Sequence, residues 1–346
     1  MDMNSLWKAR CEALEDSVIK MELHSRKDNI IFDGVSESDN ENCADIIYDL
    51  LTEKLLIDNA RNRIQFSRIH RIGKKKLLSY AGVTSSNMKP RPIIARVIHH
   101  DHKEEIMSRR RLLAEPPSDG EQAPGTKIWI NHDLPESLRR AKRIWSPVLK
   151  MAREKDKQSR IVGDKLSFKG QLYGTHDLSK LDLDIASLSM SMTSANVVFY
   201  GRYCPLSNFH PVFFAIDGVA FNCVEQYYQF QRALFARRRD IADQILLCKD
   251  PVKMKNLGDQ LKTANSEWYD ERAIVVMRHG LLAKFSKPQF KSFLLQLDER
   301  KIIEANKFDK FWSCGVSSND PRINDSGSWP GRNTLGKLLM DIRAEI

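Results

Sequence analysis

At 346 residues with 42% hydrophobic content, the chain is longer than one ordinary core needs and suits two or more domains. Its net charge of +10 is unevenly placed: residues 1–50 hold 5 Lys/Arg against 12 Asp/Glu, while residues 51–180 hold 28 against 14. The absence of a long apolar run excludes a membrane-spanning helix, and the polar start MDMNSLWKARCEALEDS lacks the apolar stretch of a secretory leader.

In chain order, residues 1–27 read as a short amphipathic helix. Trp7, Cys11, Leu14, Val18 and Met21 alternate at spacings of four and three, a heptad seam about two heptads long that suits weak self-association. Residues 28–134 alternate strand and helix patterns. Asn29 to Val35 is a buried strand, Cys43 to Leu55 a helix, and Ile64 to Gly73 a strand with one basic face. A long loop over 74–90 follows, then a strand at Pro92 to His99 and a helix at Asp101 to Leu113. After a Pro/Gly/Asp-rich loop comes a strand at Thr126 to Ile130. This βαββαβ order is the ferredoxin-like split motif that RNA-recognition domains also use.

Residues 135–175 form a small basic α/β domain. Asp133 and Pro135 signal a helix start, Pro147 is expected to kink that helix, and Ile161 to Lys169 suits a hairpin turning at Gly163-Asp164. Residues 176–195, rich in Ser and Asp without a sustained apolar stripe, read as a linker. A last domain spans 196–346. The six cysteines, Cys11, Cys43, Cys204, Cys223, Cys248 and Cys314, are scattered and include no CxxC pair. Neither a disulfide framework nor a zinc site is expected, and reduced thiols in the cytosol or nucleus fit. The fold class is therefore α+β and multidomain.

A basic surplus over 51–180 is the electrostatic footprint of a polyanion partner such as nucleic acid, although a lysine-rich solvated surface gives the same count. Arg68, Arg71, Arg91 and Arg96 sit on or beside predicted strands, and Arg139, Arg140 and Arg143 on the later helix. Their guanidinium groups suit phosphates and base faces. The aromatic pairs of a conventional RNA-recognition motif are missing, so backbone tracking rather than base reading is expected. Several stretches in 26–174 are similar to the RNA-binding protein encoded by the first reading frame of LINE-type retrotransposons. They are Arg26-Lys27-Asp28-Asn29-Ile30-Ile31-Phe32-Asp33-Gly34, Ile69-His70-Arg71-Ile72-Gly73, Arg91-Pro92-Ile93-Ile94-Ala95-Arg96, Asn131-His132-Asp133-Leu134-Pro135 and Leu172-Tyr173-Gly174. That resemblance implies single-stranded RNA or DNA as a partner.

The last domain carries a different set of motifs: Phe199-Tyr200-Gly201, Leu206-Ser207-Asn208-Phe209, Phe221 to Ala233, Lys255-Asn256-Leu257-Gly258, Trp268, Met277, Lys284-Phe285, Phe308 to Gly315 and Gly331 to Met340. Together, over 197–343, they resemble the NADAR (YbiA-like) family. The resemblance implies a compact, mostly helical domain that cleaves N-glycosidic bonds of ADP-ribose-like or ribosylamine molecules, with no cofactor or metal. Breaking a C1′–N bond builds positive charge on the sugar carbon, and a nearby carboxylate stabilises that charge or activates water. Glu225, on an aromatic helix where burial can tune it, is the first candidate and Asp309 the second. The resemblance carries the family's functional residues onto Glu225, Trp268 and Asp309. Asn208, Tyr228, Arg232, Trp312 and Asn333 are expected to bind substrate.

Two positions depart from the family pattern. Arg232 stands where lysine is common, and arginine cannot form a Schiff base with an opened ribose. Ser313 replaces a glycine. Gly331 to Lys337 fits the GxxxxGK spacing, but Leu338 follows where a phosphate loop needs Ser or Thr, and no strand precedes it. Two functions remain open at this point. One is an N-glycosidase acting on ADP-ribosylated guanine or nucleic acid, or on ribosylaminouracil intermediates of riboflavin synthesis. The other is a non-enzymatic nucleic-acid-binding protein whose last domain only reads a ligand.

Overall fold

A computed structural model describes residues 3–74, 90–114, 127–175, 177–261 and 267–346. The chain divides into two units, Met1–Arg140 and Ala141–Ile346. The expected loops over 74–90 and 115–126 lie almost wholly outside the described residues, as do the side chains of Trp7 and Cys11. No helix among the described residues is long and apolar enough to cross a membrane.

In the first unit, helix α1 (Met3–Arg26) leads into strand β1 (Asn29–Asp33), helix α2 (Cys43–Asp49), the short helix α3 (Ala60–Arg63), strands β2 (Phe66–Arg71) and β3 (Ile93–Val97), helix α4 (His100–Arg109) and strand β4 (Trp129–His132). The four strands form one sheet in the order β2-β3-β1-β4, with β1 antiparallel to both neighbours. Alternation along each strand splits the side chains between two faces. Ile30, Phe32, Ile93, Ala95, Val97 and Ile130 join Ile47, Leu51, Leu55 and Ile106 from the helical segments in one buried core. Each such side chain contributes about 1.5–3 kcal/mol by leaving water. The helix read to Leu55 is α-helical only to Asp49 and then widens into a π turn over Leu50–Lys54. Leu14, Val18 and Met21 of the heptad seam are exposed.

Asp133 does not cap the following helix. Its carboxylate accepts from Arg26 Nη1 at 3.2 Å and Asn29 Nδ2 at 2.9 Å, so it fastens the end of α1 and the start of β1. Helix α5 (Glu136–Lys155) runs continuously through Pro147.

In the second unit, β5 (Arg160–Val162), β6 (Lys165–Phe168) and β7 (Gln171–Tyr173) make a meander. Its first turn is at Gly163-Asp164, where Gly163 takes a φ of +62°. Trp145, Val148 and Phe168 pack there with Leu178, Leu181 and Ile185. The stretch expected as a linker is therefore built into the fold: residues 178–188 contribute buried leucine and isoleucine to this core, and β8 (Met190–Met192) joins a sheet. The Ser/Asp content hid Leu178, Leu181 and Ile185, whose spacing of three and four is too short a run to stand out.

That sheet has the order β12-β9-β8, with β9 (Asn196–Phe199) parallel to β12 (Lys301–Glu304). A hairpin pairs β10 (Phe214–Ile216) with β11 (Val219–Phe221). The helices are α6 (Val224–Phe235), α7 (Arg239–Leu247), α8 (Pro251–Gly258), α9 (Ala273–Phe285), α10 (Pro288–Leu295) and α11 (Thr334–Glu345). Helix predominates over strand in this domain, and short strands such as β9 and β12 carry too little alternation to be read in advance. Helix α6 is buried almost all round, as expected of the central helix of a core. Gly336 lets α11 lie against β12, since a Cβ there would strike the Ile302 carbonyl. This close approach accounts for a glycine in the GxxxxGK-like run without a phosphate.

Candidate active site

Glu225 lies in the first turn of α6, and its amide donates to the Asn208 carbonyl at 3.1 Å. A carboxylate at a helix N-terminus is ordinarily favoured in its charged form. Here burial overrides that: Glu225 is 6% exposed, and its carboxyl is pushed up to about 7 by desolvation, opposed by a hydrogen bond from Gln229. Gln229 Nε2 donates to Glu225 Oε1 at 2.8 Å, one turn along the same helix face. Gly258 at the end of α8 admits this glutamine, because any Cβ would collide with its amide.

A second acid, half-buried, faces the same region, and sequence reasoning missed it. Glu304 ends β12, and its Oε2 is inaccessible and has no hydrogen-bond partner. Desolvation raises its carboxyl to about 8, with Asp309 and Glu225 adding to the rise and Lys255 opposing it. Its backbone is clamped on both sides. The amide donates to Asn333 Oδ1 at 3.0 Å, and the carbonyl accepts from the Ser313 hydroxyl at 2.8 Å and the Cys314 amide at 3.0 Å. The available signal was an acid closing the apolar pair Ile302-Ile303, five residues before Asp309.

These clamps correct several expectations. Asn333 is buried, with both ends of its amide spent on the β12 backbone (Nδ2 donates to the Ile302 carbonyl at 2.8 Å), so it holds the strand rather than a ribose. Asp309 Oδ1 accepts the amides of Phe311 and Trp312 at 3.0 and 2.8 Å, closing a turn, and its charge reaches the site only through space. Ser313 does more than crowd a turn. Its buried hydroxyl also accepts from the Asn306 amide at 2.7 Å, which fixes the segment after Glu304.

The aromatic residues form a wall. Trp268 is 1% exposed and its Nε1 donates to the Tyr228 hydroxyl at 2.7 Å. Phe235 packs against the same indole at 5.5 Å between centroids, so Trp268 has no free face for a base. Tyr228 in turn meets Trp312 edge-on at 5.5 Å. Arg232 is also interior: Nη1 reaches Gln229 Oε1 at 3.4 Å and Asp259 at 3.8 Å, and its guanidinium lies 5.8 Å from the Tyr269 ring centre. It therefore orients the glutamine that orients Glu225. Asn208 is buried with Nδ2 3.2 Å from Met277 Sδ and an Oδ1 that has no partner. Lys284 is fully buried and driven down to about 7 by desolvation. Its Nζ donates to the Ser207 carbonyl at 2.8 Å, which fixes the peptide leading into Asn208. Surface concavities of about 440 Å³ between α7 and α8 and about 510 Å³ beside His279 include neither acid.

The basic residues of the first unit also separate. Arg71 is buried, pairing with Glu41 at 2.6 Å and donating to the carbonyls of Val35, Ser36 and Arg91. Arg91 grips Glu37 through Nε at 2.9 Å. Both are structural because each closes a loop onto the sheet edge. Arg68 and Arg96 are different: they are register partners on β2 and β3, on the sheet face away from the core, and neither forms an ion pair among the described residues. Arg139 pairs with Glu136 at 2.7 Å, which also lies 3.8 Å from Arg140. Arg143 lies further along the same helix, in the second unit.

Glu225 on the central helix and Glu304 at a strand end are thus two acids whose carboxyls desolvation pushes up, to about 7 and about 8. The NADAR domain family model matches residues 198–346. The chain is 32% identical to Protein irg-1 of Caenorhabditis elegans over 176 residues, covering 46% of this chain and 83% of that protein. It is 29% identical to N-glycosidase R617 of Acanthamoeba polyphaga mimivirus over 152 residues, covering 44% of this chain and 89% of that protein. The NMR structure of the Escherichia coli protein YbiA aligns at 24% identity with a TM-score of 0.37, over 46% of this chain and 90% of that one. The chain belongs to the NADAR family through this C-terminal domain.

Proposed function

We propose that the NADAR domain hydrolyses an N-glycosidic bond to a ribose, using Glu225 as the base that activates water and stabilises charge at C1′. The observation that carries this is the Glu225 carboxyl: buried, held near neutrality, and oriented by Gln229. A general base works best when its pKa lies near the working pH. Relatives named as N-glycosidases support the reaction class. The substrate is an ADP-ribosylated guanine, free or in nucleic acid, or a ribosylaminouracil intermediate of riboflavin synthesis. The first unit binds single-stranded nucleic acid through Arg68 and Arg96, whose side-by-side placement without an ion pair among the described residues favours a phosphate chain, and so raises the local concentration of a nucleic-acid-linked substrate. The test is release of ADP-ribose from an ADP-ribosylated guanine oligonucleotide, with loss on Glu225→Gln. If the full chain leaves both this oligonucleotide and phosphoribosylaminouracil intact, the proposal is wrong.

A second reading, a nucleic-acid-binding protein whose NADAR domain binds without turnover, is favoured by one observation. Arg232 occupies the place of a common lysine and offers no nucleophile. Cleavage by the wild-type chain removes this reading. Cleavage that appears only in Arg232→Lys supports it.

A further inference from the structure

We propose that Glu304 is the catalytic acid, donating the proton of its carboxyl Oε2 to the nitrogen that leaves C1′. This rests on the N-glycosidase reading and adds the half of the reaction that Glu225 does not cover. A neutral base or amine leaves as an anion unless it is protonated as the bond breaks, so the site needs a proton donor as well as a base.

Three observations single out Glu304. Its Oε2 is completely buried and has no hydrogen-bond partner among the described residues, and it is the carboxyl oxygen in this state beside Glu225. Its backbone is held in place, because Asn333, Ser313 and the Cys314 amide fix its peptide groups. The Glu225 charge also acts on it through space, adding to the rise of its carboxyl. Two carboxyls in one dry site do not both ionise readily, so one keeps its proton while the other is charged. Asp309, the other acid within reach, has Oδ1 occupied by two amides.

The step balances. The C1′–N bond breaks, the bonding pair stays on nitrogen, and the Glu304 proton moves to that nitrogen. Water adds to C1′ and gives its proton to Glu225. The products are the free base and the hemiacetal of the ribose, and proton exchange with solvent restores both carboxyls. The charged groups that set the balance are Glu225 from α6, Lys255 from α8 and Asp309 from the turn after β12, with Asp259 acting on Glu225. Glu225 must be ionised and Glu304 protonated, which predicts a narrow bell-shaped pH profile with limbs near about 7 and about 8.

The test compares the full chain with Glu304→Gln and Glu304→Asp on an ADP-ribosylated guanine oligonucleotide, with ADP-ribose binding measured alongside. In Glu304→Gln, kcat is expected to fall about 100-fold with KM and ADP-ribose affinity little changed, and the alkaline limb to disappear. Glu304→Asp, which retains an acid one methylene shorter, keeps that limb at a reduced kcat and covers the case in which the glutamine variant does not fold. A glutamine variant within twofold of wild-type kcat, or an alkaline limb that persists in it, overturns the assignment while leaving Glu225 and the glycosidase reading intact. A wild-type chain that cleaves nothing overturns both.

Discussion

The two units treat buried charge in opposite ways. In the first, Arg71 is 4% exposed in its side chain and is matched at once by Glu41, whose carboxyl is held below its usual range chiefly by hydrogen bonds from that arginine. In the second, Glu225 is buried and Glu304 half-buried with no ion pair to any described residue, and desolvation pushes both toward or above neutrality. A buried charge with a partner is architecture: it joins a loop to a sheet edge. A buried acid without one costs stability and persists where its proton is used. The comparison assigns roles better than residue type does, since both units are rich in charged residues.

The largest effect expected from breaking this contrast is on turnover. Glu225→Gln keeps the shape and the position beside Gln229 but cannot accept a proton. Hydrolysis should fall about 1,000-fold, measured as base release under saturating substrate, while the fold is retained. A variant that keeps a tenth or more of wild-type activity removes Glu225 from the chemistry.

Next is the architectural pair. Arg71→Met strands Glu41 without its cation and leaves the carbonyls of Val35, Ser36 and Arg91 short of a donor. Urea unfolding should show a loss of about 3–5 kcal/mol in the transition of the first unit. Arg68→Ala, three residues away on the same strand, should stay within about 0.5 kcal/mol of wild type, because nothing described depends on that side chain. Equal losses from the two would erase the distinction between paired and unpaired arginines.

The unpaired acids predict the reverse sign for stability. The Glu304 carboxyl is raised from 4.5 to about 8 in the folded chain. The folded state therefore holds its proton more tightly than the unfolded state, and the associated stability is present at low pH and is lost as pH rises through about 8. Replacing the group with a neutral amide removes that loss. Glu304→Gln should unfold later than wild type at pH 9, by about 2 kcal/mol, with the difference shrinking toward pH 5. The same substitution would raise stability and lower activity, and a variant that is less stable than wild type at both pH values contradicts the unpaired state of Glu304.

How much of this was legible in the sequence follows the same division. Glu225 could be found because it lies inside an apolar, aromatic helical run whose context marks it as buried. Glu304 could not, because burial of a residue at a strand end is set by β9, α11 and the Ser313 turn, all distant in sequence. Asn333 and Asp309 were visible as polar residues in motifs that resemble the family's, but whether an amide or carboxylate faces a ligand or a backbone depends on tertiary contacts that spacing does not encode. The arginines of β2 show the limit most clearly: Arg68 and Arg71 look alike in the basic run, and only the loop carrying Glu37 and Glu41 separates them. The strand and helix order of the first unit was readable from alternation and helical stripes because those patterns are local. The stretch 176–195 was not, since Leu178, Leu181 and Ile185 keep a spacing of three and four over too short a run amid Ser and Asp.

A binding prediction tests the exposed side of the contrast. Arg68→Ala with Arg96→Ala removes two adjacent cations from the open sheet face. Affinity for single-stranded RNA should drop about tenfold at low salt, and the slope of log affinity against log salt should become shallower by about 1.4, at about 0.7 per phosphate contact. An unchanged slope means that this face does not carry the phosphates.

The smallest effect tests how finely Glu225 is held. In Gly258→Ala the added Cβ meets the Gln229 amide, which can swing aside because it is the far end of a flexible side chain. Alanine is at least as good a helix former as glycine, so overall stability should change little. What changes is the donor to Glu225 Oε1. That hydrogen bond lowers the Glu225 carboxyl against the rise caused by burial, so losing it should move the carboxyl further up. The acid limb of the pH profile shifts to higher pH, the ionised fraction at neutral pH falls, and hydrolysis at pH 7 drops a few-fold while recovering at pH 8. A uniform loss at every pH would mean that the alanine disturbs substrate binding, and an unchanged profile would mean that Gln229 does not set the charge state of the base.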